Sequence, residues 1–325
     1  ALAIVQVTSL SVKCLTQTAL PYRCKKEILR MKQSWRGHTG LVMLLLFSTL
    51  GCGAPSGTSL SGEELQKKYP DEKYVQLNGV SLHYEQEGLG RPVVLLHGLL
   101  THSALWRNIV PTFTYNYTLY SLDLMGSGIS EKPQNQTYSI DTYVAQVAKF
   151  IDEFHLDNAL LIGHGIGAAI AMIYTVRNPS KVHKLVVMNA PLSPGYSATG
   201  LWWLKLPLVG GMLTNDWFIQ RTIHGGFFKP GSLQDSVLDM YMQPYREDPG
   251  ARVALLKQVK ELNLDSVVEK EVTPNLAKLQ VPTLIVWGAN DPYVPLDVGK
   301  SLDTVIPNDE FPVILTTGHY EMEER

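Results

Sequence analysis

The chain reads as an α/β protein built on a mostly parallel sheet, with helices on both faces and a helical segment inserted between strands. Three patterns carry that reading. Short apolar runs ending in tight glycine loops alternate with helix-period segments from residue 93 to 188. The alternation stops over residues 191–274, a stretch rich in Trp, Phe, Tyr and Met with helical spacing and no clear strand. It resumes at Thr283.

Taken in order, residues 74–77 and 80–85 flank Asn78-Gly79, a pair that favours a type I′ hairpin because both positions tolerate positive φ. Residues 93–96 form a buried strand ending at His97-Gly98, and residues 119–124 form another ending at Met125-Gly126-Ser127-Gly128. Behind Ser139, a natural helix cap, Ile140, Tyr143, Val144, Val147, Ile151 and Phe154 recur at helical spacing. A strand at 159–162, the GHGIG turn at 163–167, a helix from about 168 to 177 and a strand at 184–188 follow. In the insertion residues 252–262 read as a helix, and strands return at 283–287 and 311–315.

Composition narrows the function classes. The 325 residues are 45% hydrophobic and 18% charged, enough for one sizeable core with an inserted subdomain. A net charge of -2 and no Lys/Arg run longer than a pair leave no electrostatic footprint for nucleic acid. A small apolar molecule is the expected partner. No metal-ligand spacing, Walker loop or dinucleotide fingerprint is present, so neither a metal nor a cofactor is expected.

The first 72 residues read as processing and tether. Met31 opens a basic start with Lys32 and Arg36, an apolar run at 41–50 and then Gly51-Cys52. Spanning a bilayer takes ~20 residues, so the run is short for a transmembrane helix. Residues 31–52 resemble a bacterial lipoprotein signal, with Cys52 as the lipidated residue, although Thr49 stands where that signal prefers Leu; a plain cleaved secretory signal is the rival. On either reading the protein is exported, as a membrane-anchored lipoprotein or a periplasmic protein. Residues 1–30 then precede the true start, unless they are native polypeptide of unassigned role. With Cys14 and Cys24 removed and Cys52 lipidated, no disulfide is left. Residues 53–72 are the expected linker, 73–191 the first part of the sheet domain, 192–275 the helical cap and 276–325 the second part.

Chemistry-bearing groups gather in four loops at carboxyl ends of strands: His97-Gly98, the turn at 163–167, Asn290-Asp291 and His319. Ligands of open parallel sheets bind there. Singly, Asp291 could cap a turn and His319 could be a surface histidine; their joint placement after the last two strands favours a catalytic pair. His164 reads as a packed neighbour of the turn, His97 as a loop brace, Asp123 and Ser127 as loop-shaping, and His83, His102, His155, His183 and His224 as ordinary. Trp202, Trp203, Trp217, Phe218, Phe227 and Phe228 either line an apolar pocket or form cap core.

From residue 73 to 325 the chain resembles a capped α/β-hydrolase. The segments HGLLTHSALWRNIVP and LDLMGSGISEKP are similar to the haloalkane dehalogenase and epoxide hydrolase branch. The order elbow, acid, histidine is that of the family. The resemblance implies that Asp291 in WGANDPYVP is the triad acid, that His319 in TTGHYEMEER is the base, and that the backbone N–H groups of Leu99 and Ile166 form the oxyanion hole. It also implies a helix after the histidine, which would lie beyond Arg325. The departure is Gly165, at the elbow position where the family carries Ser, Cys or Asp: glycine accepts that strained backbone but supplies no nucleophile. Where the dehalogenases hold the leaving halide with Trp and Asn, this chain has Ile166 and Leu99, which donate no side-chain hydrogen bond. Three outcomes stay open: a hydrolase weakened at its nucleophile, catalysis by a water that His319 activates, and a membrane-tethered protein that binds a small apolar ligand without turnover.

Overall fold

Hairpin, elbow and sheet order are the features that place the site. The computed structural model describes residues 57–193, 209–212 and 214–325. Helix α1 (Gly62–Lys68) comes first, then strands β1 (Lys73–Leu77) and β2 (Val80–Gly88), joined by Asn78-Gly79 with φ of 55° and 75°. Strands β3 (Arg91–Leu96), β4 (Tyr117–Leu122), β5 (Ala159–His164), β6 (Val182–Met188) and β7 (Thr283–Gly288) form the parallel body. Two short strands, β8 (Asp309–Glu310) and β9 (Val313–Ile314), finish the edge. The order β1-β2-β4-β3-β5-β6-β7-β8, with β9 also on β7, is antiparallel only where β2 pairs with β1 and β4.

One face of the sheet is covered by α2 (Ile140–Glu153), α3 (Ile166–Arg177) and α7 (Leu296–Val305). In α2 the Ser139 hydroxyl accepts from Thr142 N–H, and the helix buries Ile140, Tyr143, Val144, Val147, Phe150 and Ile151 on one side. Helix α3 is apolar all round and buried from Gly167 to Thr175, as suits a helix enclosed in the core. On the opposite face Trp106 and Val110 pack over β3 and β4, while Leu160, Ile162, Val186, Leu284 and Val286 line an open groove.

The cap supplies α4 (Asp216–Gly225), α5 (Asp235–Glu247) and α6 (Ala251–Glu261). Two buried polar links hold it to the loop after β4. Gln258 donates to Met125 O at 3.2 Å and to Ser127 Oγ and Tyr143 OH at 3.1 Å. Lys132 is buried with its ammonium 3.2 Å from Asp248 and bonded to the carbonyls of Gly128 and Ser130. Removing either partner of such a buried pair would strand a charge.

Three expectations need correction. The linker expected over 53–72 contains α1: Ser61 and Glu64 form a capping box, Leu65 is buried, and Lys68 pairs with Glu247, so this part is docked. The strand expected at 311–315 shrinks to Val313–Ile314, because Pro312 lacks the N–H that would lengthen the ladder. The helix expected from about 168 begins at Ile166, directly on Gly165. The proposed signal and lipidation site, residues 31–52 with Cys52, lie outside the described residues, as do Trp202 and Trp203. Among the described residues no helix is long and apolar enough to cross a membrane.

Candidate active site

Strand β5 turns into α3 at Gly165, whose φ of 55° and ψ of -122° are costly for any residue with a side chain. The turn is held by Gly165 N–H donating to Met188 O at 2.9 Å, and by Gly165 O accepting from Ala168 and Ala169 N–H at 3.1 and 3.2 Å. The three glycines of GHGIG are not equivalent. A Cβ on Gly163 would come within 2.4 Å of the Ala168 backbone, and one on Gly167 within 2.3 Å of Leu96 O, so both are demanded by close packing. A Cβ on Gly165 would meet Gly98 Cα at 3.4 Å and His319 Nε2 at 3.5 Å, which are ordinary contacts. Space for a side chain exists there, and it faces His319.

His319 reaches that point from the loop after β9. Its Nδ1 lies 2.7 Å from Asp291 Oδ2, and the other Asp291 oxygen accepts from Tyr293 and Val294 N–H at 2.7 and 3.0 Å. With Asp291 accepting at Nδ1, the neutral imidazole carries its lone pair on Nε2, toward Gly165. Nε2 has no hydrogen-bond partner among the described residues. The edges of Tyr293 and Tyr320 confine the ring, at centroid separations of 5.3 and 5.2 Å.

The backbone of His319 is fixed separately. Its carbonyl accepts from His164 Nε2 at 2.6 Å and from Asn189 Nδ2 at 3.3 Å, while its N–H donates to Gly226 O at 2.6 Å. Complete burial pushes the His164 pKa well below the usual value, so the ring stays neutral. Asn189 Oδ1 and Glu321 Oε1 both accept from Gly288 N–H, at 3.1 and 2.9 Å, tying the end of β7 to the histidine loop. Burial, with Asp291 nearby, pushes the Glu321 carboxyl well above its usual range.

The loop after β3 forms the other wall. Gly98 O accepts from Thr101 Oγ1 at 3.0 Å and from His97 Nδ1 at 2.7 Å. His97 Nε2 accepts from Leu124 N–H at 3.0 Å, which fixes the tautomer with the proton on Nδ1, and burial lowers its pKa to about 4. In a trans peptide the N–H points opposite the carbonyl. Pinning Gly98 O therefore aims Leu99 N–H away from His97. Ile166 N–H is the first of α3 and has no partner within the helix.

Gly165, His319, Asp291, Leu99 and Ile166 are thus brought together. Asp123 and Ser127 shape a loop: Asp123 accepts from Ser103 and Ile129 N–H at 2.6 and 3.0 Å, and Ser127 is held by Gln258. His83 is not ordinary. Its two nitrogens lie 2.9 Å from Asp123 and 3.1 Å from Glu72, and although burial lowers its pKa, these two carboxylates win and raise it to about 9. Among the cap aromatics Phe227 is buried against Tyr320, Trp217 is exposed and Phe218 is half-buried. Sequence reasoning missed Asn189, Thr101 and Glu321; the only available signal was their position within five residues of a strand end or of the histidine. Among the described residues no three His, Cys, Asp or Glu side chains gather to hold a metal ion.

The model of the alpha/beta hydrolase fold family matches residues 91–325. The chain belongs to that family. It is 25% identical over 264 residues to the 2-hydroxy-6-oxo-2,4-heptadienoate hydrolase of Pseudomonas putida, a match covering 78% of this chain and 91% of the relative. It is 26% identical over 253 residues to haloalkane dehalogenase 2 of Mycobacterium tuberculosis, covering 75% and 86%. The solved meta-cleavage product hydrolase of Pseudomonas fluorescens superposes with a TM-score of 0.66 at 23% identity, over 78% of this chain and 92% of that one, which shows a shared fold.

Proposed function

We propose that the chain is a slow hydrolase of small apolar esters that works without a covalent intermediate. His319 is the general base, Asp291 orients it, and the N–H groups of Leu99 and Ile166 receive the oxyanion. The observation that carries this reading is the Asp291–His319 pair, bonded at 2.7 Å, with Nε2 directed at the side-chain position of Gly165. A water on Nε2 gives its proton to His319 as its oxygen bonds to the ester carbon. The tetrahedral oxyanion then collapses, and the departing alkoxide takes the proton back from His319.

An ester uses the two main-chain donors through its carbonyl oxygen, which neither an epoxide nor an alkyl halide offers. The aliphatic side chains of Leu99 and Ile166 also give a leaving halide nothing to bind. The relatives, a 2-hydroxy-6-oxo-2,4-heptadienoate hydrolase and a haloalkane dehalogenase, support hydrolysis of small molecules. General-base catalysis contributes about 10² to 10⁴-fold, so turnover is weak beside that of a nucleophilic enzyme.

The test is p-nitrophenyl butyrate hydrolysis by the wild type and by His319→Ala, with mass spectrometry of the quenched protein. The variant is expected to lose about 100-fold or more of the rate, with no acyl adduct on the wild type. Equal rates, or an adduct, would refute the reading. A non-catalytic, membrane-tethered binder of the same small apolar molecule is the second reading, favoured by Gly165 itself. It requires export and a lipid anchor at Cys52, and its sign is stoichiometric ligand binding without product.

A further inference from the structure

Gly288 and Gly318 mark the place where the acid loop and the histidine loop meet. A Cβ on Gly288 would run into Gly318 O, so the two main chains touch there with no side chain between them. Asn189 stands beside that contact. It follows the last residue of β6, is fully buried, and donates its own N–H to Val286 O of β7 at 3.3 Å. Its side-chain Nδ2 donates to Gly318 O and to His319 O, each at 3.3 Å, while Oδ1 accepts from Gly288 N–H at 3.1 Å. Turned over, the amide would set its oxygen against two carbonyls and its N–H groups against another N–H, so the donor pattern fixes its orientation.

The backbone of Asn189 is also unusual. Its φ of 47° lies in the left-handed region, which Asn tolerates better than most residues with a side chain. Such a conformation persists only where the surroundings over-determine it, as they often do at active sites. Met188, one residue earlier, accepts from Gly165 N–H at 2.9 Å. Two consecutive residues at the end of β6 thus touch the elbow, the acid loop and the histidine loop.

We infer that Asn189 is a positioning residue for the general base: its buried amide sets the spacing between the acid and histidine loops, and through it the alignment of His319 Nε2 with the Gly165 position. The inference rests on the general-base reading above and adds a residue to that same site. Asn189 does more than satisfy buried groups, because two of its partners have a second bond. Gly288 N–H also donates to Glu321 Oε1 at 2.9 Å, and His319 O also accepts from His164 Nε2 at 2.6 Å. Removing the amide therefore strands neither group. What it removes is a planar link of fixed size between the loop that carries Asp291 and the loop that carries His319.

The experiment is p-nitrophenyl butyrate hydrolysis by the full chain carrying Asn189→Gly or Asn189→Asp, each alone and combined with His319→Ala. Glycine keeps the left-handed backbone without strain and drops the amide. Aspartate keeps an acceptor for Gly288 N–H but turns an oxygen toward the two carbonyls, and it serves if the glycine variant does not fold. With His319 present, either change should lower kcat by about 10 to 100-fold with KM little changed, the mark of lost alignment. With His319→Ala, the same changes should alter the residual rate by less than about twofold, because the group they position is gone. A general loosening of the fold would instead lower both rates alike. Equal losses with and without His319, or a loss carried by KM, would overturn the positioning role and leave the hydrolase standing. A wild-type rate that does not depend on His319 would overturn both.

Discussion

Gly165→Ser is the perturbation for which the structure supplies both a cost and a gain. The cost is conformational: φ of 55° with ψ of -122° is a region that residues with a Cβ avoid, at about 1–3 kcal/mol. In a domain of this size that lowers Tm by about 2–8 °C. No steric term adds to it, since the new Cβ makes contacts of 3.4 Å or longer. The gain is chemical. From a Cβ 3.5 Å from Nε2, one rotamer brings a hydroxyl to roughly 2.8 Å from the imidazole. On the proposed reading the Asp291 pair and the Leu99 and Ile166 N–H groups stand ready, so supplying a nucleophile should raise kcat for p-nitrophenyl butyrate by about 10³-fold or more. A burst of nitrophenol equal to the enzyme concentration should accompany it. Gly165→Ala carries the same backbone cost without the hydroxyl and should match the Tm loss without gaining a burst. A folded Gly165→Ser protein with less than a tenfold gain and no burst would refute the claim that these loops form a competent site.

Three other outcomes follow from the same geometry. Asp291→Asn keeps an oxygen for the Tyr293 and Val294 amides but turns an N–H toward His319 Nδ1, forcing the proton onto Nε2; kcat should drop by about 10² to 10⁴-fold with KM little changed. Thr101→Val removes one of the two bonds on Gly98 O, and kcat should fall by about tenfold while KM and Tm move little, the mark of a positioning effect. For His83, a folded-state pKa of about 9 against 6.5 means that its contribution is whole below pH 6.5 and is lost as the pH rises through 9; urea titrations from pH 6 to 9.5 should show a decline of up to about 3 kcal/mol, absent in His83→Gln. A flat profile in the wild type would exclude the Asp123–His83–Glu72 cluster as its source.

Much of the fold was readable because its signals are local. Asn78-Gly79 specifies a hairpin by φ alone, and Ser139 with six apolar residues at helical spacing specifies α2. The Asp291 and His319 pairing was readable only through order along the chain, since 28 residues separate them. What escaped has a common physical cause. Thr101, Asn189 and Glu321 act through bonds to main-chain groups, and a main-chain partner leaves no mark on the sequence. His83 looked ordinary because its carboxylate partners, Glu72 and Asp123, come from a different loop and a different strand end. The capping box at Ser61 and Glu64 was legible by its spacing, but lay inside a tract whose Gly and Ser content suggested a tether.

The glycines of the elbow argue that the site is kept as a site. Gly163 and Gly167 are imposed by packing against Ala168 and Leu96, so the fold alone requires them. Nothing in the packing requires glycine at 165. If the fold alone governed the loops, there would be no reason for His319 to be held so closely. Its side chain is bonded to Asp291, its carbonyl to His164 and Asn189, and its N–H to Gly226. Burying His164 neutral costs desolvation, as does leaving its Nδ1 without a partner. That cost is incurred to orient one backbone carbonyl, and the result is an imidazole whose free nitrogen points at the single place in the elbow with room to spare. Such an arrangement stabilises little by itself. It makes physical sense when a water stands on His319 Nε2, the use to which the hydrolytic reading puts it.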